Sequence, residues 1–334
     1  MLFRSFPRSF SPVREIKLSA WGSTVYGLIY DSSDDKTENY DRVIFSKDKE
    51  HSLLDLKEGE RGPWIKAELR WEMKNDYNIH TPKSMSWERE LSAIPVNTDF
   101  FLRVIKLGKK DFFRIRVFYN NLNEYLVQPS DLASDFLRAV GPMVDFVDNY
   151  PPQLIYFPED KNAFLDEADQ SLAWHRDMLR YLLRNTSSDV VIQNIYTPNQ
   201  MHTSRWWLKY LDPKSPRFHD IDEAAREQLW QEVREMYRKI DAILGEAIAA
   251  AGPDTIVALS SDHGAVPLFR EVRLNNLFAK KGWLKFRRDP ESGETSIDWK
   301  NTKVVYLQMC NVFVNPEGLD RPRSEEHTSE LQSR

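Results

Sequence analysis

The sequence lacks several features, and each absence excludes a class of protein. It has one cysteine, Cys310, among 334 residues, so neither an intrachain disulfide nor a cysteine metal cluster can form. No run of 18 apolar residues occurs, and the sequence therefore predicts no membrane-spanning helix. The basic excess of a general nucleic-acid-binding protein is also missing, because the net charge is −5. A local basic pocket for a small anion is still compatible with this charge balance.

The sequence does contain enough apolar residues to build sizeable cores. Hydrophobic residues make up 41% of the chain and aromatic residues 12%, a composition that excludes wholesale disorder. A length of 334 residues suggests about two domains. No internal repeat or low-complexity tract is apparent, so we expect ordinary globular domains.

Residues 13–128 are predicted to form a β-rich domain. Short runs rich in β-branched and aromatic residues recur there, and turn residues separate them. Residues 25–30 and 40–45 are two such runs. Residues 100–106 and 112–119 flank a short loop, and they predict a β-hairpin.

The second strand of this hairpin alternates between apolar and basic side chains. Phe113, Ile115 and Val117 lie on one side of the strand, and Arg114 and Arg116 lie on the other. This period of two predicts one buried face and one face in water.

Residues 129–322 are predicted to form an α/β domain. Apolar residues recur at helical spacing through residues 163–184 and 221–250. Each helix is followed by a short apolar run of the buried-strand type, at residues 190–195 and 255–259. The order helix–strand–helix–strand favours a parallel sheet flanked by helices.

Residues 323–334 resemble a translated sequencing adapter, of the kind found at the ends of assembled environmental reads. A natural polar tail is the alternative interpretation. With the adapter interpretation, this stretch takes no part in the predicted fold, and His327 is no ligand candidate. We expect the natural gene to continue past residue 322, so that the α/β domain is incomplete in this chain.

Asp262 and His263 are candidate metal ligands. They follow the predicted strand 255–259, and sites in open α/β sheets lie beyond the C-terminal ends of strands. An aspartate oxygen and a histidine nitrogen can bind one cation, and Gly264 lets the backbone turn around it. The alternative is a capped turn with a hydrogen-bonded histidine. The predicted strand 190–195 also ends in a polar loop, so two strand ends are expected to converge.

Residues 261–264, Ser-Asp-His-Gly, resemble a signature of the alkaline phosphatase superfamily, in particular of its type I phosphodiesterase and nucleotide-pyrophosphatase-like branch. Residues 274–284 and 297–303 are similar to segments that follow this signature in the family. Residues 202–213 are similar to a loop that precedes it. The resemblance extends over about residues 163–320, and the motifs occur in the family's order.

The resemblance implies a fold and a two-metal reaction. The fold would be a partial alkaline-phosphatase-like parallel sheet, with residues 13–128 as an inserted cap domain. Asp262 and His263 would bind one divalent ion, Zn²⁺ by preference and Mn²⁺ or Mg²⁺ otherwise, and His202 would bind a second. The two ions would clamp the oxygens of a small-molecule phosphate ester or phosphodiester. A threonine or serine nucleophile would form a covalent phospho-enzyme.

The chain departs from the family pattern in two ways. Pro198 stands where the family has an aspartate four residues before the histidine, and Asn199 is a weaker substitute as a metal ligand. The first metal-binding aspartate and the nucleophile are expected upstream of this chain. Asp31 follows a β run, and we interpret it as a turn residue. We therefore expect the chain to be inactive alone.

Three hypotheses remain for the function. The first is a metal-dependent phosphohydrolase or phosphodiesterase. The second is a non-catalytic relative that binds a ligand or partner through the β domain. The third is a phosphomutase. An upstream strand ending in aspartate, with a threonine or serine about 40 residues later by the family pattern, would favour an enzyme.

Overall fold

The structure is a computed structural model. It describes residues 7–20, 23–70, 95–108, 112–120, 122, 127–144, 160–290, 293–308 and 311–315. The chain divides into two compact units, Met1–Glu72 with Leu91–Pro267 and Met73–Glu90 with Leu268–Arg334. The adapter-like stretch 323–334 lies outside the described residues.

In the first unit, the strands that the structure describes form two antiparallel sheets. The strands of the four-stranded sheet are β1 (Arg14–Ala20), β2 (Ser23–Tyr30), β3 (Arg42–Ser46) and β4 (Leu54–Lys57). The strands of the three-stranded sheet are β5 (Ile65–Arg70), β6 (Pro95–Leu107) and β7 (Phe113–Tyr119). Strand β6 pairs antiparallel with β7 from Phe100↔Tyr119 to Leu107↔Phe113, which confirms the predicted hairpin.

One apolar core joins these two sheets. Alternate residues of the strands point to the same side, so each sheet offers one continuous apolar face. The buried residues of this core are Val25, Ile29, Tyr40, Val43, Phe45, Leu56, Phe100, Leu102, Val104 and Leu107. Full burial of a large apolar side chain contributes about 1.5–3 kcal/mol, so this core stabilises the pairing of the sheets. The sheets together are called the β unit below.

The described residues of the same compact unit form five α-helices. They are α1 (Leu132–Ala139), α2 (Asp160–Asn185), α3 (Thr197–Thr203), α4 (Leu208–Leu211) and α5 (Glu223–Ala250). Helices α2 and α5 correspond to the predicted helices 163–184 and 221–250. Helix α5 begins at Asp222, whose side chain accepts a hydrogen bond from the backbone N–H of Ala225 at 2.8 Å.

Helices α2 and α5 pack against each other through their apolar stripes. Phe164, Leu172 and Leu179 of α2 share a core with residues of α5 such as Val233 and Ile243. Trp207 is fully buried in this core, and its indole N–H donates to Glu232 Oε2 at 2.7 Å. Trp207 therefore anchors the chain between the helices.

The prediction of a parallel sheet is not matched by the structure. Every strand pair in the described residues is antiparallel, and the predicted strands 190–195 and 255–259 form neither helix nor strand. Several of their apolar side chains face water, since Ile192 is 82% and Ile256 92% exposed, whereas Val191 and Ile195 pack against the core between α2 and α5. A parallel strand is stabilised by neighbours on both edges and by layers on both faces. Neither segment pairs with a described strand, so both lack this stabilisation.

The prediction that one face of β7 lies in water was also wrong. Arg116 on this face binds Glu167 of α2, and Ile105 of β6 contacts Ala163 of the same helix. Both faces of the three-stranded sheet are therefore covered. Alternating charge on a strand also fits a face that meets oppositely charged side chains of another element.

The second unit is described between residues 268 and 315. Its elements are α6 (Leu274–Lys280), β8 (Phe286–Arg288), β9 (Thr295–Ile297), β10 (Val304–Gln308) and β11 (Asn311–Val314). Phe278, Leu284 and Val305 form its core. Asn275 fastens α6 to β10, because its side chain donates to the carbonyl of Tyr306 and accepts from its N–H. No helix in the described parts of either unit is long and apolar enough to cross a membrane.

Candidate functional site

Asp262 and His263 lie in an extended stretch between α5 and α6 that contains no helix or strand. Their side chains are 87% and 58% exposed, respectively. Short-range hydrogen bonds shape this stretch: Ser261 Oγ donates to the carbonyl of His263 at 2.8 Å, and the His263 N–H donates to Asp262 Oδ1 at 3.1 Å. The local sequence, rather than a strand end, sets the relative positions of the two side chains.

The hydrogen bonds of His263 fix its tautomer. Nδ1 lies 2.9 Å from the carbonyl oxygen of Gly264. Because a carbonyl can only accept, Nδ1 carries a proton, and Nε2 keeps its lone pair whenever the ring is neutral. A backbone carbonyl that accepts from the other ring nitrogen is the usual support for a metal-binding histidine.

With a neutral imidazole, Asp262 and His263 present two acceptor atoms to each other. Nε2 of His263 lies 3.5 Å from Oδ2 of Asp262. In a tetrahedral site with metal–ligand bonds of about 2.1 Å, the edge between two ligand atoms is about 3.4 Å. A shared cation, or a proton on the imidazole, would satisfy both atoms. The pair therefore fits two of the positions around one divalent ion.

His202 lies in the last turn of α3, where its Nε2 is 2.9 Å from the hydroxyl of Tyr237 on α5. Burial lowers the pKa of His202 below its usual value, which favours the neutral imidazole that metals bind. Pro198 is accommodated in the first turn of α3, where its missing N–H has no helical partner to lose. The polar loop predicted at residues 196–202 is therefore mostly helical.

Asn199 lies on α3 with an exposed side chain. Its backbone carbonyl accepts a hydrogen bond from Thr203 Oγ1 at 2.8 Å, which is a contact within α3 between residues four positions apart. Within the described residues, no group of three or more His, Cys, Asp or Glu side chains could hold a metal ion. The structure thus places Asp262 beside His263 and does not bring His202 to them. The metal roles of all four residues stay predictions.

Asp31 follows β2 and is fully buried, in agreement with its interpretation as a turn residue. Its carboxylate accepts from Ser11 Oγ at 2.5 Å and from the N–H and Oγ of Ser33 at 3.1 Å. Burial alone would raise the pKa of Asp31, but these hydrogen bonds outweigh it and lower the pKa below 3.8. This carboxylate holds a loop together.

Sequence reasoning missed Tyr237 as the partner of His202. Tyr237 and Trp230 are exposed aromatic residues seven positions apart on α5, so they lie on one face of that helix. In the sequence, this spacing indicates a second, half-exposed aromatic face of α5, separate from the buried apolar face of the same helix.

One stretch of the chain matches a family of known proteins. Residues 187–328 match the family model described as type I phosphodiesterase / nucleotide pyrophosphatase, which belongs to the alkaline phosphatase superfamily. The resemblance seen in residues 261–264 is therefore confirmed, and the match includes His202 and Asn199 and leaves the β unit outside. No protein of curated function and no solved structure matches the chain.

Proposed function

We propose that the chain, with its type I phosphodiesterase-like stretch at residues 187–328, is a metal-dependent phosphohydrolase or phosphodiesterase that acts on small-molecule phosphate esters. The family supports hydrolysis of a phosphate ester. The observation that carries metal dependence is the pair of acceptor atoms on Asp262 and His263, 3.5 Å apart within the matched stretch.

In this proposal, Asp262 supplies an anionic oxygen and His263 a neutral nitrogen to one divalent ion, Zn²⁺ by preference. Such an ion supplies positive charge that stabilises the phosphoryl oxygens as negative charge develops on them. Ser261 and Gly264 orient the pair, because Ser261 Oγ donates to the carbonyl of His263 and the carbonyl of Gly264 accepts from His263 Nδ1.

His202 and Asn199 are the proposed contributions to a second ion. His202 would exchange the hydroxyl of Tyr237 for the ion, since its Nε2 is the atom in contact with that hydroxyl. Asn199 would offer its amide oxygen, a neutral ligand weaker than a carboxylate.

A second candidate function is non-catalytic binding, and one observation favours it. The described residues assemble no third protein ligand around Asp262 and His263. A catalytic Zn²⁺ site normally has three protein ligands, so two ligands predict weak metal binding and little turnover.

Zinc binding and hydrolysis, measured side by side, test the proposal. Equilibrium dialysis should detect weak Zn²⁺ binding that Asp262→Asn and His263→Gln each reduce at least tenfold, because each removes one ligand. Asp254→Asn is the matched control, since Asp254 lies in the same stretch outside the pair. Equal Zn²⁺ binding by all four proteins would refute the metal site.

Hydrolysis of p-nitrophenyl phosphate and bis-p-nitrophenyl phosphate should be slow with Zn²⁺, Mn²⁺ or Mg²⁺. Robust turnover that Asp262→Ala abolishes would establish the activity and would overturn the expectation of weak metal binding and little turnover.

A further inference from the structure

Three arginines form a row across the three-stranded sheet. Arg103 of β6 lies directly opposite Arg116 of β7, and on its other side it forms a bridge with Arg61. Residues directly opposite each other in antiparallel strands project from the same face of the sheet. Like charges in such positions destabilise the sheet unless other groups compensate them.

Two carboxylates of α2 partly compensate this row. Arg116 donates to both oxygens of Glu167, from Nε at 2.5 Å and from Nη2 at 2.8 Å. Arg103 Nη2 donates to Oδ2 of Asp166, and Arg61 Nε lies 3.2 Å from the same oxygen. Oδ2 also accepts from Gln170 at 2.8 Å, so one carboxylate oxygen has three donors around it.

Among the residues that the structure describes, the charges in this cluster do not balance. Three guanidinium groups face two carboxylates, and 3 − 2 leaves one positive charge. The charges of Arg116 and Glu167 compensate each other, because their contact is bidentate and Glu167 is fully buried. The surplus therefore lies at the Arg61–Arg103 end, where two cations share Asp166. An uncompensated charge at a partly buried site is costly.

The Arg61–Arg103 end also contains an unsatisfied hydrogen-bond donor. Arg103 is almost completely buried, and its Nε has no hydrogen-bond partner among the described residues. Its Nη1 makes only a long contact, 3.4 Å, with the carbonyl of Gly59. A buried donor without an acceptor costs about 1–3 kcal/mol, so the structure favours an additional acceptor here.

At this end of the row, Arg61 packs against an aromatic side chain and reaches the surface. The Arg61 guanidinium lies 5.2 Å from the ring centre of Phe101, and Phe101 stacks on Phe118 with ring centres 5.1 Å apart. The Arg61 side chain is 28% exposed and that of Asp166 is 38% exposed. A small ion can thus approach from solvent, and the arginines lose little freedom when it binds.

We propose that the Arg61–Arg103 end of this row is a binding site for an oxyanion of the phosphate or sulfate type. Guanidinium groups match such anions because several N–H donors lie in one plane with positive charge. The site belongs to the β unit, outside the family-matched stretch, and it does not depend on the hydrolase proposal. Its natural occupant is either free phosphate or the phosphate group of a small molecule.

Calorimetric titration with phosphate and with sulfate tests the site. The buffer contains EDTA, and chloride holds the ionic strength constant. Arg61→Gln should weaken binding at least tenfold, because a charge-assisted hydrogen bond contributes about 1.5–3 kcal/mol. Asp166→Asn should tighten binding several-fold, because it removes a competing carboxylate. Arg138→Gln is the control and should bind normally, since Arg138 is an exposed arginine paired with Asp135 on α1.

The opposite signs of the two variants separate binding from a structural role. Saturable binding by the original chain, weaker in Arg61→Gln and tighter in Asp166→Asn, supports the site. No saturable binding, or weakening in both variants, overturns it, and so does equal weakening in Arg138→Gln. If Arg61→Gln does not fold, Arg61→Lys replaces it and should show intermediate affinity. Phenyl phosphate that binds tenfold more tightly than phosphate assigns the site to a phosphorylated molecule, and equal binding assigns it to the free ion.

Discussion

Replacing Glu167 by glutamine is expected to destabilise the protein by about 3–5 kcal/mol. Glu167 is fully buried, and both its oxygens accept from Arg116, at 2.5 and 2.8 Å. Glutamine keeps one acceptor, but it sets its amide N–H₂ against a guanidinium N–H, so one charge-assisted bond becomes a contact between two donors. The variant also leaves Arg116 without its countercharge and raises the surplus of the cluster from one positive charge to two.

Urea unfolding followed by circular dichroism measures this loss as a change in the free energy of unfolding. The double variant Arg116→Met/Glu167→Leu is the control, because it removes both charges and fills the volume with apolar groups. The double variant should lose less stability than Glu167→Gln, since a buried pair replaced as a whole costs little. A loss under about 1 kcal/mol for Glu167→Gln, or a double variant that loses as much stability as Glu167→Gln, would show that this ion pair does not hold the β unit to α2.

Three further predictions concern other parts of the molecule. Hydrogen bonds lower the pKa of Asp31 below 3.8, so its ionised form stabilises the fold above that pH, and this contribution is lost as the pH falls through the folded-state pKa. Asp31→Asn should therefore flatten the acid limb of a plot of unfolding free energy against pH, and an unchanged limb would contradict this. Trp207→Phe should cost about 1–3 kcal/mol in urea unfolding, because Glu232 loses a buried donor, whereas exposed Trp230→Phe should cost little; equal losses would refute the anchoring role. Tyr237→Phe should raise the affinity for a second Zn²⁺ if His202 is a ligand, and unchanged metal stoichiometry in dialysis would count against it.

The elements that the sequence predicted correctly are those whose signal is local. The hairpin of β6 and β7 follows from alternation within each strand and a short loop between them. Helices α2 and α5 follow from apolar residues spaced three or four apart, and Asp222 supplies the start of α5. In each case the residues that decide the structure lie within one or two turns or strands of one another.

The predictions that failed depend on partners far along the chain. Arg116 was expected to face water, yet its partner Glu167 lies 51 residues later, and no pattern within β7 indicates that a helix covers it. The runs 190–195 and 255–259 have the composition of buried parallel strands, but composition does not supply neighbouring strands. The pairing of Asp262 with His263 needed no such partner, since the two are adjacent in sequence.

The loss of the expected strand has a direct consequence for Asp262 and His263. A strand end would hold both side chains in place before an ion arrives, whereas the stretch that carries them leaves Ile256 and Leu259 in water and relies on a few local hydrogen bonds. Ordering such a stretch around an ion costs about 1–2 kcal/mol for each residue that becomes fixed, and this amount is subtracted from the metal–ligand energy. Fixing three residues would thus weaken metal binding by about two to four orders of magnitude relative to the same ligands on a rigid strand end. Metal affinity at this pair therefore reports how firmly residues 255–264 are held, and any partner or added segment that buries Ile256 should raise it.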